Sequence, residues 1–269
     1  MVPAFLPPSV PIYLPNEAEQ SETVELNSIG VASSLNSPSF SNGSRAETLL
    51  AQAIVPSDMG TVVTPGPTQT DITGGQLSGD GTNLFHNFQE FGLTEAQIAN
   101  FIASPEIQNI LGNVSGGDVS FIDGVLQVTG GDANLFLINP AGIIFGANAE
   151  LNLNGDFTAT TADRIGFGHD WLDVLSPDNY QTLIGEPNQF GFTAPGSVLN
   201  FGTLSVASGQ NLTLLGGTVV NDGELLAADG NITLLAVPGE TLVRINPANT
   251  LLGLEISPLT VSNDSPQLN

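Results

Sequence analysis

Short apolar runs separated by turn residues recur along most of the chain. The clearest case is residues 135–146, LFLINPAGIIFG, where LFLI and IIFG flank Asn139-Pro140-Ala141-Gly142. Asn-Pro favours turn initiation and Gly allows a positive φ, so the local reading is strand, tight corner, strand. Similar segments follow one another from Ile54 onward: IVPS, GTVVTP, QTDITGG and GTNLFHNF, then DVSFIDGVLQVTGG and AELNLNGDFTATTA. One stretch has a helical period instead. In LTEAQIANFIASPEIQNILG, Thr94 and Gln97 have capping-box spacing, and Ile98, Phe101 and Ile102 form an apolar stripe. Ser104-Pro105 reads as a second helix start and Gly112 as its stop. This pattern predicts a short helical insert in a chain that is otherwise all-β.

The later part of the chain repeats itself. NFGTL at Asn200 aligns with NDGEL at Asn221, and SGQNLTLLGG at Ser208 aligns with ADGNITLLAV at Ala228. A period of about 20 residues, with short strands and Gly or Asn corners, is the signature of solenoid coils, here a β-helix. A leucine-rich repeat shares the period but not the LxxLxLxxN pattern, and a β-sandwich would show hairpins without self-similarity. In a β-helix the inward side chains fill a narrow core, so Leu212, Leu214, Ile232 and Leu234 are predicted to face one core and stack in neighbouring coils. NPAG then becomes a corner between two sheets of one coil. Asn bonds neighbouring backbone there, Gly supplies an unusual φ, and stacked Asn side chains can pair along the axis as in amyloid ladders.

Composition narrows the classes. Hydrophobic residues make up 41% of the 269 and charged residues 11%, too apolar for a wholly disordered chain. Residues 1–53 differ from the rest. They are Pro-interrupted, then acidic, then rich in Ser, Asn and Gly, and read as a disordered or linker-like segment preceding a domain at 54–269. They make a poor signal peptide, with no Lys or Arg near Met1 and only Leu49-Leu50 ahead of the small-x-small sequence Ala51-Gln52-Ala53. Asp and Glu number 27 against three Arg and no Lys, for a formal net charge of −24. Such a surface repels phosphate backbones and lacks a polybasic membrane patch, so nucleic acid and membrane insertion are excluded as partners. Cys is absent, as it can be by chance in a cytosolic chain or in an exported chain that must stay free of disulfides.

Three blocks in order, GTNLFHNFQEF, ILGNVSGGDVSFIDGVLQVTGGDANLFLINPAGIIFG and GDFTATTADRIGFG, resemble the two-partner secretion (haemagglutination-activity) domain at the N-terminus of filamentous-haemagglutinin-like exoproteins. The resemblance spans residues 54–259. The NPNGI-type motif of that family corresponds here to Asn139, Pro140, Ala141, Gly142 and Ile143, with Ala in place of the second Asn. The family's other motif, NPNL, has no clear counterpart. Asn246-Pro247-Ala248-Asn249 is similar in letters but lies too late in the chain. The resemblance implies a right-handed parallel β-helix (β-solenoid) with an N-terminal cap. It also implies export through an outer-membrane β-barrel transporter with periplasmic POTRA domains, which would recognise Asn139–Ile143. The implied destination is the cell surface or the medium, with cell-surface glycans or receptors on host or neighbouring cells as further partners.

Candidate chemistry is sparse. His86 in NLFHNF reads as a packed histidine and His169 in GHDW as an exposed loop residue, and no His cluster has metal-ligand spacing. Asp118, Asp123 and Asp132 adjoin turns but lack the tandem GGxGxD of calcium-binding repeats. No metal, cofactor or catalytic residue is assigned. A β-helix enzyme acting on polysaccharides is the competing class. No carboxylate pair is marked out for it, and three scattered Arg are a weak set of groups for stabilising a developing enolate. A contact-dependent toxin stalk is a third reading, because the same domain precedes both. The sequence is read as the secretion-targeting and folding-nucleus domain of an adhesin-like exoprotein, not as an enzyme.

Overall fold

The computed structural model describes residues 53–57, 60–237, 239–245 and 254–258. The linker and signal-peptide expectations for residues 1–52, and the NPAN sequence at 246–249, lie outside them.

Strands β1 (Ile54–Pro56), β2 (Thr61–Pro65), β3 (Gln69–Gly74), β4 (Gln76–Leu77) and β5 (Asn83–Phe91) open the described chain. Coiling then proceeds through β6 (Ile98–Ile102), β7 (Asn109–Val114) and β8 (Ser120–Ile122), followed by β9 (Val125–Thr129), β10 (Asn134–Ile138) and β11 (Ile143–Phe145). After β12 (Glu150–Asn152) and β13 (Phe157–Thr160) the chain leaves the coil for β14 (Arg164–Phe167), β15 (Asp170–Asp173), a 3-10 turn at Tyr180–Thr182 and β16 (Gln189–Phe192). It returns in β17 (Ser197–Asn200), then winds through β18 (Thr203–Val206), β19 (Leu212–Gly216), β20 (Thr218–Asn221), β21 (Glu224–Ala227) and β22 (Ile232–Ala236). Strands β23 (Thr241–Ile245) and β24 (Leu254–Pro258) follow.

The result is a parallel β-solenoid with three sides. The first side stacks β3, β6, β9, β12, β18 and β21, and the second β5, β7, β10, β13, β19 and β22. The third stacks β8, β11, β17 and β20. At the N-terminal end, β2 pairs antiparallel with β3, and β1 and β4 pair antiparallel with β5. These three strands form a cap that covers the first coil's edges. Strands β14, β15, β16, β23 and β24 make a separate antiparallel sheet.

The two kinds of strand in the sequence have one physical cause. First-side strands have one buried face and alternate, as in β9, where Leu126 and Val128 point in and Val125, Gln127 and Thr129 stay half-exposed. Second-side strands from β5 to β19 are buried on both faces over most of their length, which in β10 shows as the apolar run LFLI, while β22 at the end of the stack is half-exposed. Their inward residues, among them Phe88, Ile110, Leu135, Leu137, Phe157, Leu212 and Leu214, fill the solenoid core. Their outward residues Phe85, Leu111, Phe136, Ile138 and Leu215 pack against Ile165, Phe167, Phe190, Phe192 and Val243 of the antiparallel sheet, forming a second core. Each such side chain taken out of water contributes about 1.5–3 kcal/mol.

Asparagine ladders run along the coils. Asn109 Nδ2 donates to Asn83 Oδ1 at 2.8 Å and Asn134 Nδ2 to Asn109 Oδ1 at 3.0 Å. The Asp156 N–H donates to Asn134 Oδ1, Asn211 Nδ2 to Asp156, and Asn231 Nδ2 to Asn211 Oδ1. At its N-terminal end Asn83 donates to the Leu183 and Gly185 carbonyls, tying the ladder to the loop before β16.

The helical insert does not form. Ile98–Ile102 and Asn109–Val114 are the parallel strands β6 and β7. The Thr94/Gln97 signal is half right: the Thr94 N–H donates to Gln97 Oε1 and the Gln97 N–H to the Thr94 carbonyl, but they close a turn leading into a strand. Likewise the Ile107 N–H donates to the Ser104 carbonyl in a single turn. Pairing of β6 with β3 on one edge and β9 on the other outweighs the local helical preference.

Candidate functional site

Asn139–Ile143 is the corner between β10 on the second side and β11 on the third. Asn139 is 1% exposed, Gly142 and Ile143 are buried, and Pro140 and Ala141 are half-buried. The Asn139 side chain holds the bend from both ends. Its Oδ1 accepts the Ala141 N–H at 3.0 Å, and its Nδ2 donates to the Asp118 carbonyl and Ser120 Oγ, each at 2.9 Å, in the preceding coil. Its backbone reaches the other way, with the Asn139 N–H donating to the Thr160 carbonyl of the following coil at 3.0 Å. The Gly142 N–H closes the turn onto the Asn139 carbonyl, also at 3.0 Å.

Gly142 has φ +132°, a conformation that residues with a Cβ rarely adopt. The Gly142 carbonyl accepts the Ser120 N–H and the Pro140 carbonyl accepts the Gly196 N–H. Ile143 continues in register between Ser120 and Val198. In the folded chain the backbone of the corner is therefore engaged on both sides, and Pro140 and Ala141 are its outward-facing parts. No side chain in the corner is ionisable or nucleophilic.

Two supporting residues were not foreseen. Ser120 is fully buried beneath Asn139. Gly196 packs so closely that a Cβ there would lie 2.7 Å from the backbone of Pro140 and Ala141. The signal for the latter was the Pro195-Gly196 dipeptide, a turn mark. His86 is fully buried inside the solenoid, with ring centroids 5.7 Å from Phe101 and 6.3 Å from Phe88. His169 is exposed at the turn between β14 and β15. Among the described residues, no three His, Cys, Asp or Glu side chains converge as a metal site would require.

The TPS secretion domain family model matches residues 51–264. In the solved structures, the crystal structure of the HMW1 secretion domain from Haemophilus influenzae is similar with a TM-score of 0.51 and 21% identity, over 77% of this chain and 48% of that one. The chain thus spans about half the length of that structure, and the likeness is one of fold. A filamentous hemagglutinin secretion domain structure aligns with a TM-score of 0.36 and 15% identity, over 68% of this chain and 99% of that one. No curated protein matches the chain significantly. With the family model covering most of its length, the chain belongs to the TPS secretion domain family.

Proposed function

We propose that the chain is the secretion-targeting and folding-nucleus domain of an adhesin-like exoprotein, exported to the cell surface or the medium by an outer-membrane β-barrel partner. Membership of the TPS secretion domain family supports the targeting role. The observation that carries the finer reading is the double engagement of the Asn139 corner. The Asn139 N–H and the Pro140 and Gly142 carbonyls are bonded to the coils before and after it, and the Ala141 and Gly142 N–H groups to Asn139 itself, so a reader of its backbone must meet it before the coils close. Periplasmic POTRA domains of the partner add this extended segment as a strand and read the Asn-Pro kink together with Gly142 and Ile143. Completion of the solenoid then hides the segment and makes the step directional.

An export assay tests this reading. The chain is placed behind a working signal peptide, fused to a reporter and co-expressed with the transporter that serves it. Reporter on the cell surface only when both are present is the expected result. Surface reporter without a transporter, or periplasmic retention with every two-partner transporter tried, contradicts it.

A further inference from the structure

The coil that holds β12 and β13 has no third-side strand among the described residues. In its place residues 161–196 leave the solenoid, form β14 to β16 and return, so that β17 pairs directly with β11. The Asn139 corner depends on this detour. Its Pro140 carbonyl accepts the Gly196 N–H at 3.1 Å, and at the far end of β11 the Phe145 carbonyl accepts the Phe201 N–H at 2.9 Å. Both donors follow the detour in the chain. A chain folding from its N-terminus therefore cannot complete the corner until the whole detour has been made.

The detour is anchored far from the corner. Its loop between β15 and β16 reaches back to the cap and the first coils. Asn83 Nδ2, on a fully buried side chain, donates to the Leu183 and Gly185 carbonyls, each at 2.9 Å, across 100 and 102 residues of chain. The Gly79 N–H donates to the Gln181 carbonyl at 3.1 Å, and Gln181 Nε2 returns a bond to the Leu77 carbonyl at 2.9 Å. The Gly185 N–H donates to the Asp80 carboxylate at 3.1 Å. One coil further on, Asn113 Nδ2 donates to the Val174 carbonyl at 2.9 Å. Residues 174–185 are thus a strap that grips the turn after β4, the start of β5 and the end of β7.

Two physical effects order the events. The first is burial. Both hydrogens of the Asn83 amide end on strap carbonyls, and the Phe85 ring is covered by Tyr180 and Phe167, with centroids 5.0 and 5.8 Å away. A buried donor without an acceptor is costly, so β5 gains its dry outer face only when the strap supplies its carbonyls. The second is loop closure. With β13 paired, joining β17 to β11 closes the loop from Thr160 to Ser197. Once the strap is seated, only the part from Gly185 to Ser197 remains free. That loop is about threefold shorter, and because the cost grows as three-halves RT times the logarithm of length, it closes about fivefold more readily.

We propose that the strap is a clasp that times the closure of the Asn139 corner: its seating on the cap comes first and delivers β17 to the open edge of β11. The use of the delay rests on the export reading, in which the corner is met before it closes; the delay itself does not. Refolding of the purified full chain from urea tests the clasp with no transporter present, so its failure is distinct from a failure of that reading. Trp171, the single tryptophan of the chain, lies in β15 and reports docking of the detour by fluorescence. Pulse-labelled hydrogen exchange reports corner closure at the Gly196 and Phe201 amides. The Val125 amide, which donates to the Gln97 carbonyl on the first side, is the reference for coil formation away from the strap. Expected is protection of Gly196 and Phe201 with or after the Trp171 signal. The side chains of Asp80 and Gln181 are exposed, so Asp80→Asn combined with Gln181→Ala loosens the clasp while both cores stay intact. This double variant should slow protection of Gly196 and Phe201 about fivefold and leave Val125 at the parent rate. Protection of Gly196 and Phe201 ahead of the Trp171 signal, protection at the parent rate in the double variant, or an equal slowing at Val125 overturns the proposal.

Discussion

Leu214 on β19 and Leu234 on β22 face each other in register on the second side of the solenoid, yet Leu214 is fully buried and Leu234 is 46% exposed. The same holds for Leu212 and Ile232, with Ile232 at 44%. The paired residues stack in neighbouring coils as the repeat indicates, but only β19 is covered on both sides. Position in the stack, not sequence, sets what each leucine contributes. Leu214→Ala should therefore cost about 2–5 kcal/mol through cavity formation, and Leu234→Ala about half of that or less. Urea unfolding of both variants measures the difference. Equal losses would contradict the coil-stacking account.

The asparagine ladder offers a second contrast. Asn109 is 3% exposed and bonded to both Asn83 and Asn134. Asn109→Ala leaves a carbonyl on one neighbour and an amide on the other unpaired, and should cost about 1–3 kcal/mol for each group. Asn152 bonds Gln127 in the same axial manner, but on the exposed face of the first side. Asn152→Ala should change stability by less than about 0.5 kcal/mol. Denaturation midpoints at constant m-value decide the matter.

Acid should loosen the cap through Asp80. The Ser78 hydroxyl, above all, and the Thr82 and Gly185 N–H groups donate to its carboxylate and hold its pKa down at about 2, against an ordinary value of 3.8. A carboxyl with a depressed folded pKa stabilises the fold above its unfolded pKa, and that contribution disappears as the pH falls through the folded value. The Asp80 contribution is thus complete above about pH 4 and lost on descending toward pH 2. Asp80→Asn should flatten this part of a pH–stability curve and, because Asp80 also holds the Gly185 N–H, speed amide exchange in that loop. An unaltered acid limb in the variant would exclude Asp80 as its source.

Gly142 and Gly196 should resist substitution for different reasons. At Gly142 the obstacle is φ +132°, so Gly142→Ala carries backbone strain of about 1–3 kcal/mol. At Gly196 it is contact, since a Cβ would meet the Pro140 and Ala141 backbone at 2.7 Å. Gly196→Ala should displace the corner itself, visible as chemical-shift changes at Ala141 that Asn152→Ala does not produce.

Much of this was legible because burial leaves a mark on sequence. The doubly buried β10 announces itself in the apolar run LFLI, the singly buried β9 as an alternation, and the coils from β17 to β22 as a repeat, whereas β7, with Asn109, Gly112 and Asn113 among its six residues, reads as the end of the helical insert. The β6 segment misled because Ile98, Phe101 and Ile102 fit a helical stripe, whereas Asn100, buried and donating to Asp71, belongs to a strand ladder. The antiparallel sheet was not foreseen. It joins β16 to β23 across the last two coils of the solenoid, and no local period records so distant a pairing. At the candidate site, the corner geometry followed from Asn, Pro and Gly chemistry. Its axial partners Ser120, Thr160 and Gly196 did not, since they are brought in by coil register alone.

The central claim is that the Asn139 corner is read before it folds, and one paired measurement on Asn139→Ala tests it most directly. Binding of the urea-unfolded chain to the transporter's isolated periplasmic domains is measured beside the stability of the folded variant. The claim predicts weakened binding together with a stability loss of about 1–3 kcal/mol from the bonds to Asp118, Ser120 and Ala141. Unchanged binding with only the stability loss would make Asn139 a purely structural corner residue and contradict the claim.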